Sequence, residues 1–218
     1  MTDELEVFQE MAMRGPIELR PALREALIAA AAEPWGVDLE RSAEVARNAV
    51  TSQDVLLFQR QEGDNFPTSG LTLWGADDGY YVPNIVPLQA GSLTFSQYNA
   101  VLADFVDRIA APAAAKHHFR IETTSPRQSL EDWLSLDPRD KLRLFSTAAN
   151  KSSGASHPAD EGRWFDFIIA VHRSGDRLDA GRLARWLHEV ESWDETSAHD
   201  LAGQYERSLA LLARYDSQ

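Results

Sequence analysis

The chain has 218 residues, contains no cysteine and carries a formal net charge of −13, with 44% hydrophobic and 25% charged residues. The lack of cysteine excludes disulfides, thiol nucleophiles and thiolate metal sites, and the acidic balance argues against direct binding of nucleic acid or anionic lipid, because phosphate contacts need clustered Lys and Arg. The chain starts with acidic residues and lacks the roughly 18 consecutive apolar residues of a membrane span, so we expect a cytoplasmic protein without a secretory signal.

The first fifty residues predict helices. Gly15 and Pro16 form a stop signal, because glycine ends helices readily and proline cannot continue one. Pro21 suits the first turn of a helix, where its missing N–H costs no hydrogen bond, and Asp38 suits an N-cap, where its carboxylate can accept from a free amide. These signals predict helices over residues 3–14, 21–33 and 39–50.

A hairpin dominates the middle of the chain. Asp77 and Asp78 favour a tight turn, and Gly79 can adopt the left-handed conformation that we expect at its last position. Pro83 has no amide hydrogen, so the second hairpin strand should lie at the edge of a sheet or end early. Apolar runs and the alternation of apolar with polar residues predict strands over residues 54–60, 71–75, 80–86 and 116–123.

A long amphipathic helix is predicted after the hairpin. Thr94 and Gln97 have the spacing of a capping box, in which each side chain accepts from the backbone amide of the other residue. The apolar side chains recur every three or four residues and form one stripe, at Phe95, Tyr98, Leu102, Phe105 and Ile109. A stripe of this kind is buried in a folded protein, so we expect the helix to pack on the sheet that the hairpin begins.

From residue 125 onward the pattern is helical. Residues 163–173 are apolar around most of a helical circumference, which is typical of the central helix of a bundle. His172 falls within that apolar arc, and we expect a buried histidine with a hydrogen-bond partner and no catalytic role. The whole pattern predicts an α+β protein, mostly helical, with a small antiparallel sheet of three or four strands covered by helices and followed by a C-terminal helical bundle.

The same pattern predicts two domains, residues 1–125 and 126–218, although the chain could also form one continuous domain. Residues 1–125 contain 18 acidic and 9 basic side chains, a net charge of −9, whereas residues 126–218 contain 16 and 12, a net charge of −4. An acidic N-terminal domain would favour a basic partner. The simpler interpretation is that the charge keeps the protein soluble.

The hairpin tip is our candidate for a partner-binding site. Aromatic side chains are enriched where proteins bind one another, and neighbouring carboxylates attract a basic partner. The candidate contacts are Trp74, Asp77, Asp78 and Tyr80. We therefore expect a non-catalytic binding or regulatory protein that masks a basic protein partner, as bacterial antitoxins and immunity proteins do. Alternatively, Trp74 and one tyrosine pack beneath the helix stripe.

A polar loop over residues 150–160 supports a second hypothesis. Hydroxyl groups and cationic side chains could surround an anion at the N-terminus of the next helix, which would suit an enzyme acting on a phosphate-containing substrate. The candidate anion ligands are Lys151, Ser153, His157 and Arg163. An ordinary loop between helices also has this composition.

No cofactor or metal site is predicted. The chain lacks the glycine patterns of nucleotide-binding loops and the nucleophile elbow of acyl-transfer enzymes. His117 and His118 are adjacent on a predicted strand, so they would point to opposite faces and could not share one metal ion.

Overall fold

The computed structural model describes residues 3–49, 54–63, 66–151, 155, 157–176 and 178–218. The chain divides into two compact units, which are residues 7–126 and residues 1–6 together with 127–218. We call them the sheet unit and the helical unit. The fold is α+β with a majority of helix, but the main sheet has six strands rather than the three or four that the sequence predicts.

The elements follow one another along the chain as follows. After the strand β1 (Leu5–Glu6) of the helical unit, the sheet unit contains β2 (Met11–Arg14), a 3-10 turn (Ile17–Leu19), α1 (Arg20–Ala30), β3 (Trp35–Val37), α2 (Leu39–Asn48), β4 (Val55–Arg60), β5 (Ser69–Ala76), β6 (Gly79–Pro87), α3 (Phe95–Phe105), a π-helical turn (Val106–Ala110), α4 (Ala111–Lys116) and β7 (Arg120–Thr123). The helical unit continues with β8 (Arg127–Gln128), α5 (Leu130–Trp133), α6 (Leu136–Ala148), α7 (Pro158–Ser174), α8 (Ala180–Arg185), a second π-helical turn (Trp186–Val190) and α9 (Glu195–Asp216).

The sheet is antiparallel throughout, with the strand order β3–β4–β5–β6–β2–β7. Successive side chains of a strand point to opposite faces, and in β5 the buried Leu71 and Leu73 alternate with the half-buried Thr72 and Trp74. α1, α3 and α4 contribute side chains to the same buried core as Leu71 and Leu73. These helices therefore lie on one face of the sheet, which we call the covered face.

The prediction for the amphipathic helix is confirmed. Thr94 accepts from the amide of Gln97 at 3.2 Å, and Gln97 accepts from the amide of Thr94 at 3.0 Å, which forms the expected capping box. Phe105 is fully buried, and its ring contacts that of Phe58 on β4 at a centroid distance of 5.1 Å. The stripe of α3 therefore packs on the sheet.

The helix predicted over residues 3–14 is wrong, because this segment forms the strands β1 and β2. β2 lies inside the sheet between β6 and β7. Met11 and Met13 are buried, and Ala12 between them points to the other face, so the segment follows the period of a strand over these positions. Pairing with two neighbouring strands outweighs the helical propensity of the preceding acidic residues.

Pro83 lies where the pairing of β6 changes. β6 is an inner strand over Gly79–Val82, where it pairs with both β5 and β2, but its pairing with β2 ends at Val82. The register with β5 shifts opposite Pro83, between Thr72 and Trp74. The expectation that this strand lies at an edge or ends early is therefore wrong for β6 as a whole. The bulge, and the end of the pairing with β2 at Val82, accommodate the missing N–H of Pro83 locally.

Gly79 is required for a reason that differs from the predicted left-handed turn. Its φ is +153°, and a Cβ at this position would lie 1.9 Å from the carbonyl oxygen of Met13 on β2. The hairpin turn itself consists of Asp77 and Asp78, because Ala76 and Gly79 are paired. Close approach of a neighbouring strand therefore excludes every side chain at position 79.

The strand predicted over residues 116–123 is confined to Arg120–Thr123. α4 continues to Lys116, and His117 and His118 form the turn after it, with a φ of +60° at His118. The argument that the two histidines lie on opposite faces of a strand is therefore wrong. The apolar alternation that suggested a longer strand reflects the burial of Phe119 beside Gly15.

The helical unit has an aromatic core. Its rings contact one another in sequence, with centroid distances of 4.8–5.7 Å, in the order Trp193, Phe145, Trp164, Phe167 and Tyr205. Within α7, helical periodicity predicts Phe165 inside the apolar arc and Ala170 on the polar remainder, but Phe165 is 44% exposed and Ala170 is buried. The neighbouring helices cover only part of the circumference of α7, which the sequence pattern cannot specify.

Candidate functional site

The candidate site lies on the face of the sheet opposite the covered face, which we call the open face. The paired positions Trp74, Tyr81, Ala12 and Glu122 form one row across β5, β6, β2 and β7. Neighbouring strands are about 4.8 Å apart, so this row spans about 14 Å. Trp74 is half-buried and Tyr81 is 38% exposed, so the row presents aromatic surface to solvent.

A second apolar area continues along β6. Val86 and Leu88 are 44% and 45% exposed. Both side chains lie over Gly70 of β5, because Leu88 and Val86 approach the position of a Cβ on Gly70 to 3.1 and 3.6 Å. The absence of a side chain at position 70 therefore lets these two side chains rest on the open face, four residues along β5 from the aromatic row.

Charged side chains border the row on the side of β2 and β7. Arg14 donates to Asp78 at 2.6 Å and to Glu122 at 3.0 Å. The hydrogen bond to Asp78, and then that to Glu122, raise the pKa of the Arg14 guanidinium above its ordinary value, so Arg14 is a permanent cation. A depression of about 610 Å³ adjoins these groups, and its lining includes Tyr81 and Glu10.

A second depression, of about 500 Å³, lies on the other side of the row. Trp74 contributes to its wall, and the remaining lining comes from α2 and the residues next to it. The charged groups in the lining are Asp38, Glu40, Arg41 and Glu44. Asp38 also caps α2 by accepting from the amide of Arg41 at 2.9 Å, as the sequence predicts. The aromatic row therefore separates two depressions with acidic linings.

The structure corrects one of the four predicted partner contacts. Asp77 is exposed, Asp78 is half-buried, and Trp74 lies on the open face. Tyr80 is only 1% exposed, because it faces the covered side, and its hydroxyl donates to Asp54. Burial, and then the hydrogen bond to Asp54, raise the pKa of Tyr80, so its phenol stays protonated.

Tyr81 is the exposed aromatic side chain of the hairpin that the sequence did not single out. A two-residue turn pairs Ala76 with Gly79, and the same register brings Tyr81 rather than Tyr80 opposite Trp74. The predicted turn extends to Gly79, one residue beyond the observed turn, and a shift of one residue exchanges the faces on which the two tyrosines lie.

The structure brings together two of the four predicted anion ligands, because His157 and Arg163 line one depression of about 620 Å³. Lys151 bonds the backbone oxygen of Glu191, His157 caps α7 by accepting from the amide of Ala159 at 3.1 Å, and Arg163 pairs with Asp160 at 2.8 Å. Ser153 lies outside the described residues. Asp160 is 5% exposed in the first turn of α7, so a carboxylate already occupies the helix end that an anion would use.

In the part of the chain that the structure describes, the remaining titratable groups form no further candidate site. His172 has the expected partner, because its Nε2 lies 2.7 Å from Asp216, but its side chain is 21% exposed rather than fully buried. In the described part of the chain, no group of three or more His, Asp or Glu side chains is placed to hold a metal ion.

Comparisons with known proteins add no functional information. No protein-family model matches the chain, and no curated protein or solved structure is significantly similar to it. Among the residues that the structure describes, no helix combines the length and the apolar character needed to cross a bilayer.

Proposed function

We propose that this protein is a non-catalytic binding protein that masks a basic segment of a partner protein on its open face. The observation that carries the proposal is the aromatic row, in which Trp74 and Tyr81 are paired and Tyr81 remains exposed. Interfaces take most of their affinity from a few such side chains, which desolvate well and lose little conformational entropy on binding.

The charge around the row supports a basic partner. Seven carboxylates line the two depressions or the hairpin turn, at Glu10, Asp38, Glu40, Glu44, Asp77, Asp78 and Glu122. Three guanidinium groups accompany them, at Arg14, Arg41 and Arg120. The excess of negative charge favours encounter with cationic surfaces and disfavours anionic ones.

The boundaries of the two units change the distribution of net charge along the chain. The sheet unit contains 15 acidic and 9 basic residues, a net charge of −6, whereas the helical unit contains 19 and 12, a net charge of −7. The uneven distribution inferred from a boundary at residue 125 disappears, because three acidic residues near the N-terminus belong with the helical unit. The proposal therefore rests on the local charge at the open face and not on the charge of a domain.

The alternative proposal, an enzyme acting on an anionic substrate, receives no support from a specific contact. Its cations at Lys151 and Arg163 already bond protein oxygens, and Asp160 would repel an anion at the start of α7. Titratable groups do converge on the depression beside α7, at His157, Asp160 and Arg163, but the cation of Arg163 is balanced there by Asp160.

The test is affinity capture from an extract of the native host, with the wild-type protein and two matched variants. Tyr81→Ala removes an exposed ring from the open face, and Phe165→Ala removes a similarly exposed ring from the helical unit. We expect a captured protein of basic isoelectric point that Phe165→Ala retains and Tyr81→Ala binds at least about tenfold more weakly. Both variants should keep the wild-type melting curve, because both side chains are exposed.

Binding kinetics with the purified partner then separate charge from contact area. Replacing Asp77 and Asp78 by asparagine should slow association, because exposed charges act mainly on the encounter rate and are screened within about 8 Å at physiological ionic strength. Tyr81→Ala should instead speed dissociation. A partner that binds Tyr81→Ala as tightly as the wild type would move the interface away from the open face.

A further inference from the structure

Arg14 lies at the centre of the charged border formed by β2, β7 and the hairpin turn. Its guanidinium lies between two carboxylates from different elements, Asp78 in the hairpin turn and Glu122 on the outermost strand β7. The Cα atoms of Arg14 and Arg120 are paired on neighbouring strands, which is an unfavourable pairing of like charges on one face. Arg120 lies 3.5 Å from the second oxygen of Glu122, so two cations share this carboxylate.

The fold does not depend on these contacts of Arg14. About half of each side chain is exposed, at 49% for Arg14, 46% for Asp78 and 48% for Glu122. Ion pairs with this exposure contribute little to stability, because water screens them and ordering the long side chains costs entropy. The register of β2 is determined instead by the buried Met11 and Met13. Arg14 can therefore leave its two carboxylates without opening the sheet.

The surroundings of Arg14 match what the proposed partner would need. Arg14 and its acceptor Glu122 line the depression of about 610 Å³ whose wall also includes the exposed Tyr81, and Arg14 joins them to Asp78 in the hairpin turn. A partner arginine that enters from solvent would find two carboxylate groups in suitable positions and an aromatic ring nearby. Carboxylates bind guanidinium groups through directional hydrogen bonds, which a lysine ammonium reproduces less well.

Building on the proposed function, we infer that Arg14 is an internal competitor that occupies, in the free protein, the position an arginine of the basic partner takes in the complex. Displacement of Arg14 from Asp78 and Glu122 accompanies binding and lowers the affinity of the open face. The partner is therefore a protein segment that contains arginine next to an apolar or aromatic residue.

The inference predicts that removal of Arg14 strengthens binding. Arg14→Ala leaves Asp78 and Glu122 free for an incoming guanidinium, and we expect the dissociation constant to fall by about three- to tenfold, the range set by exposed ion pairs. Arg14→Lys keeps the charge but loses the forked donor geometry, so it should give a smaller gain. The matched control is Lys116→Ala, which makes the same change in net charge at an exposed position of α4 on the covered face.

Fluorescence anisotropy with two labelled peptides provides the measurement. One peptide is hexa-arginine, and the other is hexa-citrulline, which has nearly the same shape without the charge. The wild type should prefer hexa-arginine, and Tyr81→Ala should weaken that preference. Arg14→Ala should bind hexa-arginine more tightly than Lys116→Ala does, and the double replacement of Asp78 by asparagine and Glu122 by glutamine should bind it more weakly than the wild type.

The possible outcomes separate the two proposals. Equal affinity of the wild type for both peptides would overturn the proposed function, because a basic ligand would then not be recognised. A preference for hexa-arginine that Arg14→Ala increases no more than Lys116→Ala does would overturn the competitor role alone. Weaker binding by Arg14→Ala would show that Arg14 helps to form the site and would equally overturn it.

Discussion

The carboxylate of Asp104, whose side chain is 13% exposed, offers the sharpest test of how the sheet unit is stabilised. Asp104 on α3 accepts from Arg60 at 2.9 Å, from the indole of Trp35 at 2.8 Å and from Arg108 at 2.8 Å. The side chain of Arg60 is only 6% exposed, and its guanidinium lies 3.7 Å from the ring centroid of Phe66. One carboxylate therefore joins β3, β4 and α3 and neutralises a buried cation.

Replacing Asp104 by asparagine keeps the side-chain shape but removes the charge that balances Arg60. Loss of one partner of a buried ion pair leaves an uncompensated charge in the interior, which costs about 3–5 kcal/mol. The matched control is Asp107→Asn, which makes the same chemical change at an exposed position of the π-helical turn. That control should change the free energy of unfolding by less than about 0.5 kcal/mol.

Native-state amide hydrogen exchange is the suitable assay, because it reports the opening of β4 and α3 independently of the helical unit. A loss of 3–5 kcal/mol would lower the protection of the slowest amides in these elements by roughly two to four orders of magnitude. A reduction of less than about tenfold for Asp104→Asn, or equal effects of the two variants, would refute the conclusion that this ion pair is buried and balanced.

The dependence on pH provides a second check. Burial alone would raise the pKa of Asp104, but hydrogen bonds from Arg60, Arg108 and Trp35 outweigh it and hold the pKa below its ordinary value. Because the pKa of Asp104 is lower in the folded than in the unfolded protein, its ionised carboxylate contributes its full stabilisation above the unfolded pKa of about 3.9. This contribution is lost as the pH falls through the folded pKa. The difference between wild type and Asp104→Asn should stay constant from about pH 7 to 5 and shrink only below about pH 4.

Three further predictions concern single positions. Phe105→Ala should lower the free energy of unfolding of the sheet unit by about 3–5 kcal/mol, measured by urea unfolding, because it empties a fully buried ring site; a loss below about 1 kcal/mol would contradict this. Gly79→Ala should prevent the pairing of β6 with β2, because its Cβ would overlap the carbonyl oxygen of Met13, whereas Gly36→Ala, with nothing within 4 Å of a Cβ, should change the amide spectrum only locally. His172→Asn should cost no more than about 1 kcal/mol in a thermal melt, because the side chain of Asp216 that it contacts is 63% exposed.

Local signals in the sequence predicted several elements correctly. The cap at Asp38, the capping box at Thr94 and the turn at Asp77 and Asp78 all depend on residues within a few positions of one another. The stripe that includes Phe105 was also recognisable, because helical periodicity shows which side chains share a face whatever they pack against. Trp74 was named as a contact for a comparable reason, since an aromatic residue beside a turn stands out in the sequence alone.

The tertiary structure alone decided which segments of the chain pair with one another. Whether residues 11–14 form a helix or a strand depended on β6 and β7, which lie about 70 and 110 positions away along the chain. The same long-range pairing requires glycine at position 79 and brings Arg14 between Asp78 and Glu122. The sequence by itself determined capping, the position of the hairpin turn and periodicity, because these arise from neighbours along the chain. Strand order, the burial of Tyr80 and the composition of the open face depend on contacts between distant segments, which only the folded chain creates.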